Sequence, residues 1–149
     1  MGKVHNINKN QKKEERTAEL AISRCLRREF SEAIKALQAM PMKPSGAMKV
    51  KRATLIIYNE MQSYVKKRTE IFEKYSERDE NGGIVFEDEA KTQYKVAKEN
   101  EDAAMAELNE LYERKFKIPV TNVDMFYGDA VTPEFLGILD GIILESPNA

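Results

Sequence analysis

Two stretches of mainly apolar residues recur at alternating steps of four and three, and a strong turn signal stands between them. The first is Val50, Thr54, Ile57, Met61, Tyr64, Arg68, Ile71 and Tyr75; the second is Tyr94, Ala97, Glu101, Ala104, Leu108 and Leu111. A repeat near 3.5 residues places one narrow seam along a helix, and that seam has to be covered by another element. Asp79-Glu80-Asn81-Gly82-Gly83 supplies the reversal between them. The spacing therefore predicts a long antiparallel helical hairpin over about 47–115. Its helices run over about 47–76 and 88–115, roughly 45 Å and 42 Å at 1.5 Å per residue. Between them, Ile84-Val85-Phe86 reads as a short extended run.

Laid against each other, the seams coincide when Ile71 faces Tyr94, Tyr64 faces Glu101, Met61 faces Ala104 and Ile57 faces Leu108. This register leaves two charged residues in the seam, Arg68 and Glu101, and predicts that they pair. It also sets Lys66 and Lys67 across from Glu99 and Glu101, with Asp102 just beyond.

Upstream, Ile22, Leu26, Phe30, Ala33 and Leu37 form a third helical stripe, predicting a helix over about 14–40. Arg24, Arg27, Arg28 and Lys35 fall on the opposite face of that helix. Pro41, Pro44, Ser45 and Gly46 read as the linker that follows. Residues 1–13 are polar, basic and aperiodic, as a flexible arm is. After Phe116 the pattern breaks into short extended pieces, and Thr132-Pro133-Glu134 is a helix start with Thr as cap and Pro at the first position. The fold class is mainly α: an N-terminal helix, the hairpin and a small C-terminal α/β element over about 117–145. With the arm set aside, residues 14–149 form a single helical domain.

Charge is unevenly placed. Residues 1–75 carry 17 Lys/Arg against 8 Asp/Glu, and residues 76–149 carry 7 against 17. Part of this split cancels inside the hairpin. The remainder makes Arg24, Arg27, Arg28 and Lys35 a candidate basic surface and Glu99, Glu101 and Asp102 a candidate acidic one. A basic helix face suits phosphate contact, yet the whole chain has a net charge of −1 and no base-reading motif, so nucleic acid is the less favoured partner.

Catalytic chemistry has little to work with. The one histidine, His5, lies in the arm, and the one cysteine, Cys25, borders an apolar stripe. Glu77, Asp79, Asn81, Ile84 and Asp88 can be aligned to a calcium loop around Gly82, but the first ligand is Glu where Asp is required and the last is Asp where Glu is usual. An acidic glycine-containing turn is the commoner origin of such a segment. No catalytic residue, cofactor or metal ligand is assigned. No run is apolar enough to span a bilayer, and the polar N-terminus is unlike a secretory signal, so a cytoplasmic or virion location is expected.

The block Phe30 to Leu37 (FSEAIKAL), the Lys-rich linker, Ile71 to Gly82 (IFEKYSERDENG), an acidic third helix and Thr132 to Leu139 (TPEFLGIL) resembles a family of small bacteriophage proteins of unknown function. The resemblance covers roughly residues 29–145. It implies a long helical hairpin with a Tyr-x-x-x-Asp-Glu-x-Gly-like turn at its tip, a short strand at the N-terminus, and no catalytic residues. The expected function is that of a non-catalytic interaction protein of particle structure or assembly, with a phage structural protein, a host protein or a second copy as partner. The alternatives are an inhibitor presenting the acidic hairpin to a host enzyme or defence complex, and a nucleic-acid-binding accessory protein.

Overall fold

In the computed structural model, which describes residues 16–127 together with Ile138, Leu144 and Glu145, the first described element is a strand where the periodicity predicts a helix. Thr17–Ala21 (β1) pairs antiparallel with Lys115–Pro119 (β2), setting Leu20 opposite Phe116 and Ala18 opposite Ile118. The ladder is extended at its two ends by Ile22 N to Arg114 O at 2.9 Å and Val120 N to Arg16 O at 3.0 Å. A strand forms here because β2 alternates Phe116 and Ile118 inward with exposed lysines, and an apolar strand face needs a paired neighbour.

The predicted helix over 14–40 is thus corrected to three pieces. After β1 come a single turn, Ile22–Cys25 (α1), and a separate helix, Arg28–Ala39 (α2), with Arg27 extended between them at φ −74°, ψ 137°. Ile22, Phe30, Ala33 and Leu37 of the predicted stripe are buried, while Leu26, at the break, is 42% exposed. The break turns α2 so that its stripe still meets the core.

Pro44–Tyr75 is one helix of 32 residues (α3), about 48 Å long. Pro44 occupies its first position, where the missing N–H costs nothing, so the predicted linker shrinks to Met40–Lys43. Its buried face is Gly46, Val50, Ala53 and Ile57, with Met61 and Tyr64 partly covered, close to the predicted seam. Ser76 ends the helix, its hydroxyl donating back to the Phe72 carbonyl.

The predicted third helix over 88–115 is shortened to Glu101–Tyr112 (α4), preceded by a 3₁₀ turn at Lys98–Asn100. Residues 76–97 instead form a small tip of three extended segments. They are joined by bridges Ser76–Val96, Arg78–Ile84 and Phe86–Tyr94. At their centre Glu77 N bonds Lys95 O (2.8 Å), Lys95 N bonds Val85 O (3.1 Å) and Val85 N bonds Glu77 O (2.9 Å). Asp79 Oδ1 closes the first loop by accepting from Asn81 N (2.9 Å) and Gly83 N (2.8 Å), with Gly82 at φ +80°. Asp88 Oδ1 closes the second by accepting from Thr92 N (2.8 Å) and Gln93 N (3.0 Å), with Lys91 at φ +58°. Those Asx-type bonds, and a left-handed residue, outcompete continuation as helix.

The helical register differs accordingly. Phe72 stacks on Tyr94 at 5.6 Å, close to the predicted start, but farther along Lys74 meets Glu107 at 3.3 Å and Arg114 lies 3.5 Å from Glu60. Arg68 sits over the Phe72 ring, 4.8 Å from its centroid, and Glu101 is exposed. The expected Arg68–Glu101 seam pair is therefore withdrawn, because the tip takes up residues that the register assigned to helix.

The core gathers Leu20, Ile22, Cys25, Phe30, Ala33 and Leu37 against Val50, Ala53 and Ile57 of α3, closed by Phe116, Ile118 and Phe126. Each large side chain buried there contributes about 1.5–3 kcal/mol. All three α3 residues in the core come from its N-terminal half; the C-terminal half runs on to α4 and the tip. Thr121–Asn122 (β3) pairs in parallel with Leu144–Glu145 (β4), and Lys43 N bonds Met125 O at 2.7 Å, tying the C-terminal segment to the start of α3. Apart from Ile138, the helix predicted from Thr132 lies outside the described residues, as does the arm at 1–13.

Candidate interaction surface

The predicted basic face does not form one stripe. Arg24 is half-buried and its Nη2 donates to the Ile138 carbonyl at 3.0 Å, fastening α1 to the C-terminal segment. Arg27 is the extended residue at the helix break. Arg28 pairs with Glu32 one turn along α2 at 3.0 Å, with both side chains exposed, and Lys35 is exposed on the same helix. The helical wheel placed these residues together by assuming continuity through Leu26 and Arg27, which the structure lacks.

Glu99, Glu101 and Asp102 are brought together and exposed, on the 3₁₀ turn and the first turn of α4. Acidic groups there complement the positive end of the helix dipole. Of the two lysines expected opposite them, Lys66 is exposed and Lys67 has other neighbours: with Lys74 it lines a groove of about 650 Å³ between α3 and α4, together with Glu70, Glu107, Glu110 and Arg114, floored by Ile71 and Leu111. Within it the Tyr75 side chain and the Glu107 carboxylate hold the Lys74 ammonium above the usual lysine value, while Tyr75 and Lys74 hold Glu107 below the usual carboxylate range. Arg114 faces the buried Glu60 Oε2 as an ion pair without hydrogen-bond alignment.

The acidic loop has its own internal partners. Glu77 pairs with Lys95 at 3.3 Å, and the Asp79 and Asp88 carboxylates are taken up by backbone N–H groups. Among the described residues no group of three His, Cys, Asp or Glu side chains is arranged to hold a metal ion, and no helix is long and apolar enough to cross a membrane. Cys25 is buried, and burial followed by the nearby Glu60 charge pushes its thiol up to about 12 against the lowering effect of a backbone hydrogen bond. A thiol so placed stays protonated and unreactive.

Asp88 gives a pH prediction. The Thr92 hydroxyl first, then the Gln93 N–H, hold its carboxyl below the ordinary value of 3.8. A depressed folded value stabilises the loop above the unfolded pKa, and this support is lost as pH falls through the folded value. Protection of the Thr92 and Gln93 amides, taken as exchange relative to the intrinsic rate at the same pH, is expected to fall on acidification below about pH 4, earlier than in α3, and to be low at neutral pH in Asp88→Ala. Equal protection in parent and variant at pH 7 would show that the carboxylate does not close this loop.

The surface feature that charge reading missed is apolar. Met48, Leu55, Tyr58 and Val65 of α3 are 66%, 55%, 60% and 54% exposed, an unusual share for large apolar side chains on a single helix. With Lys51, Gln62 and Thr69 they form a second series of alternating threes and fours, turned away from the buried seam. The signal is present in the sequence as a second phase of the same period. At the tip, Arg68, Phe72, Tyr94 and Phe86 make a cation–aromatic ladder, Phe86 and Tyr94 being 4.9 Å apart.

Compared with protein-family models, with curated proteins and with solved structures, the chain matches none.

Proposed function

We propose that this is a non-catalytic, phage-encoded interaction protein of particle structure or assembly, and that it docks through the outward stripe of α3. The observation that carries the reading is the exposure of four large apolar side chains along about 26 Å of one helix. A helix offering anchors at such spacing suits a helical partner or groove. The phage origin rests on the family resemblance. The test is capture of the tagged protein from nuclease-treated infected lysate, beside a Leu55→Glu/Tyr58→Glu variant of unchanged circular dichroism. Phage structural proteins are expected with the parent and lost with the variant; an identical set from both would remove the stripe from the function. The exposed Glu99, Glu101 and Asp102 favour a second reading, a salt-sensitive inhibitor of a basic host site. A single host protein, retained by the stripe variant and released by Glu101→Lys/Asp102→Lys, is its expected signature.

A further inference from the structure

We infer that the outward stripe of α3 is covered by the same stripe of a second copy of this chain, running antiparallel about a two-fold axis through Gln62. This rests on the reading of that stripe as a docking face and names its occupant.

Charge decides the direction. Leu55 and Glu73 are eighteen residues apart, five turns of 3.6, and so lie on one line of the helix; Lys51 and Thr69 share another close beside it. The stripe thus carries a lysine near its start and a glutamate near its end, with Leu55, Tyr58 and Val65 between them. A parallel copy would set Lys51 against Lys51 and Glu73 against Glu73. An antiparallel copy with Gln62 opposite Gln62 sets each Lys51 against the other's Glu73, Tyr58 beside Val65, and Leu55 beside Thr69. Two salt bridges then flank an apolar centre, as charges at the ends of a helix seam do. Among the described residues Leu55, Tyr58, Gln62 and Val65 are exposed at the middle of this face, and the core and the buried seam lie on another side of α3. Gln62, exposed and central, meets its own copy with a side chain that can both donate and accept, which fixes the register as a lone polar seam residue does.

Register-specific cross-linking of the full chain tests this. Under mild oxidation Gln62→Cys is expected to form a disulfide-linked dimer, because equivalent positions meet at the axis. Met48→Cys is expected to stay monomeric on a non-reducing gel, since its two copies lie about 42 Å apart in the antiparallel arrangement. Cys25, buried as a free thiol, gives little background. By sedimentation, Lys51→Glu and Glu73→Lys are each expected to weaken self-association about tenfold, and the double variant to restore it. Cross-linking through Met48→Cys would overturn the antiparallel arrangement. A parent chain that sediments as a monomer would overturn the second copy as occupant. If Leu55→Glu/Tyr58→Glu then still loses a captured protein, the docking reading survives; if capture is unchanged, both fail.

Discussion

Leu20→Ala is expected to lower the free energy of unfolding by about 2–5 kcal/mol, while Leu26→Ala leaves it within about 0.5 kcal/mol. The pair is informative because the helical stripe of the sequence ranks them in reverse: Leu26 is on it and Leu20 is off it. In the fold Leu20 is 1% exposed, on β1 opposite Phe116, and Leu26 is 42% exposed at the break between α1 and α2. Truncating Leu20 removes apolar contacts and leaves a void that backbone on both sides of the ladder resists closing. Urea denaturation of the two variants beside the parent measures both. Equal midpoints, or a larger loss at Leu26, would reinstate the continuous helix over 14–40.

Gly46→Ala is expected to destabilise by about 1–3 kcal/mol, against the usual sign for that exchange inside a helix. Alanine normally gains about 0.5–1 kcal/mol there by restricting the unfolded chain. At this position an added Cβ would stand 2.5 Å from Met125 Cβ and 2.9 Å from Met125 Cγ, with Thr121 Cγ2 at 3.5 Å. The nearest atom is fixed to the backbone of a turn that Lys43 N also grips through Met125 O, so a change of rotamer cannot relieve the clash. Met125→Ala keeps the offending Cβ and should not rescue, whereas Met125→Gly should recover part of the loss in the double variant. Thermal unfolding of the four proteins separates these outcomes; a Gly46→Ala chain as stable as the parent would mean that α3 and the Val123–Met125 turn do not touch this closely.

What could be read from the sequence follows from how local each cause is. Apart from its first turn, where Pro44, Ser45 and Gly46 read as linker, α3 was legible almost to its end, since a period sustained over thirty residues is local. β1 was not, because its partner Phe116 is nearly a hundred residues away and five residues of strand resemble a helical stripe in a single window. The third helix is shorter than its rhythm predicts because Tyr94 and Ala97 continue the 3.5-residue spacing by coincidence; Asp88 and Thr92, which stop it, act through side-chain bonds that periodicity ignores. The seam register failed for the same reason beyond its first step. Of the candidate surface, Glu99, Glu101 and Asp102 were placed together correctly by adjacency. Arg24, Arg27, Arg28 and Lys35 were grouped through a helix that breaks. The stripe from Met48 to Val65 is present in the sequence as a rhythm, but α3 carries two amphipathic phases of the same period, and only burial distinguishes the one that faces the core.

The tip carries a consequence for how this chain behaves among others. An ordinary small sheet ends in two strands whose outer N–H and C=O groups await a stranger, and that is how unrelated chains add on and aggregate. Here the segments around Glu77, Val85 and Lys95 each donate to one neighbour and accept from the other in a circle, so at its centre the tip has no outermost strand. It stands at the far end of α3 from the core, where an open sheet would be most accessible, and the closed circle removes its central backbone groups from trade. The same closure makes the tip all-or-none: freeing any one segment deprives both others of a partner.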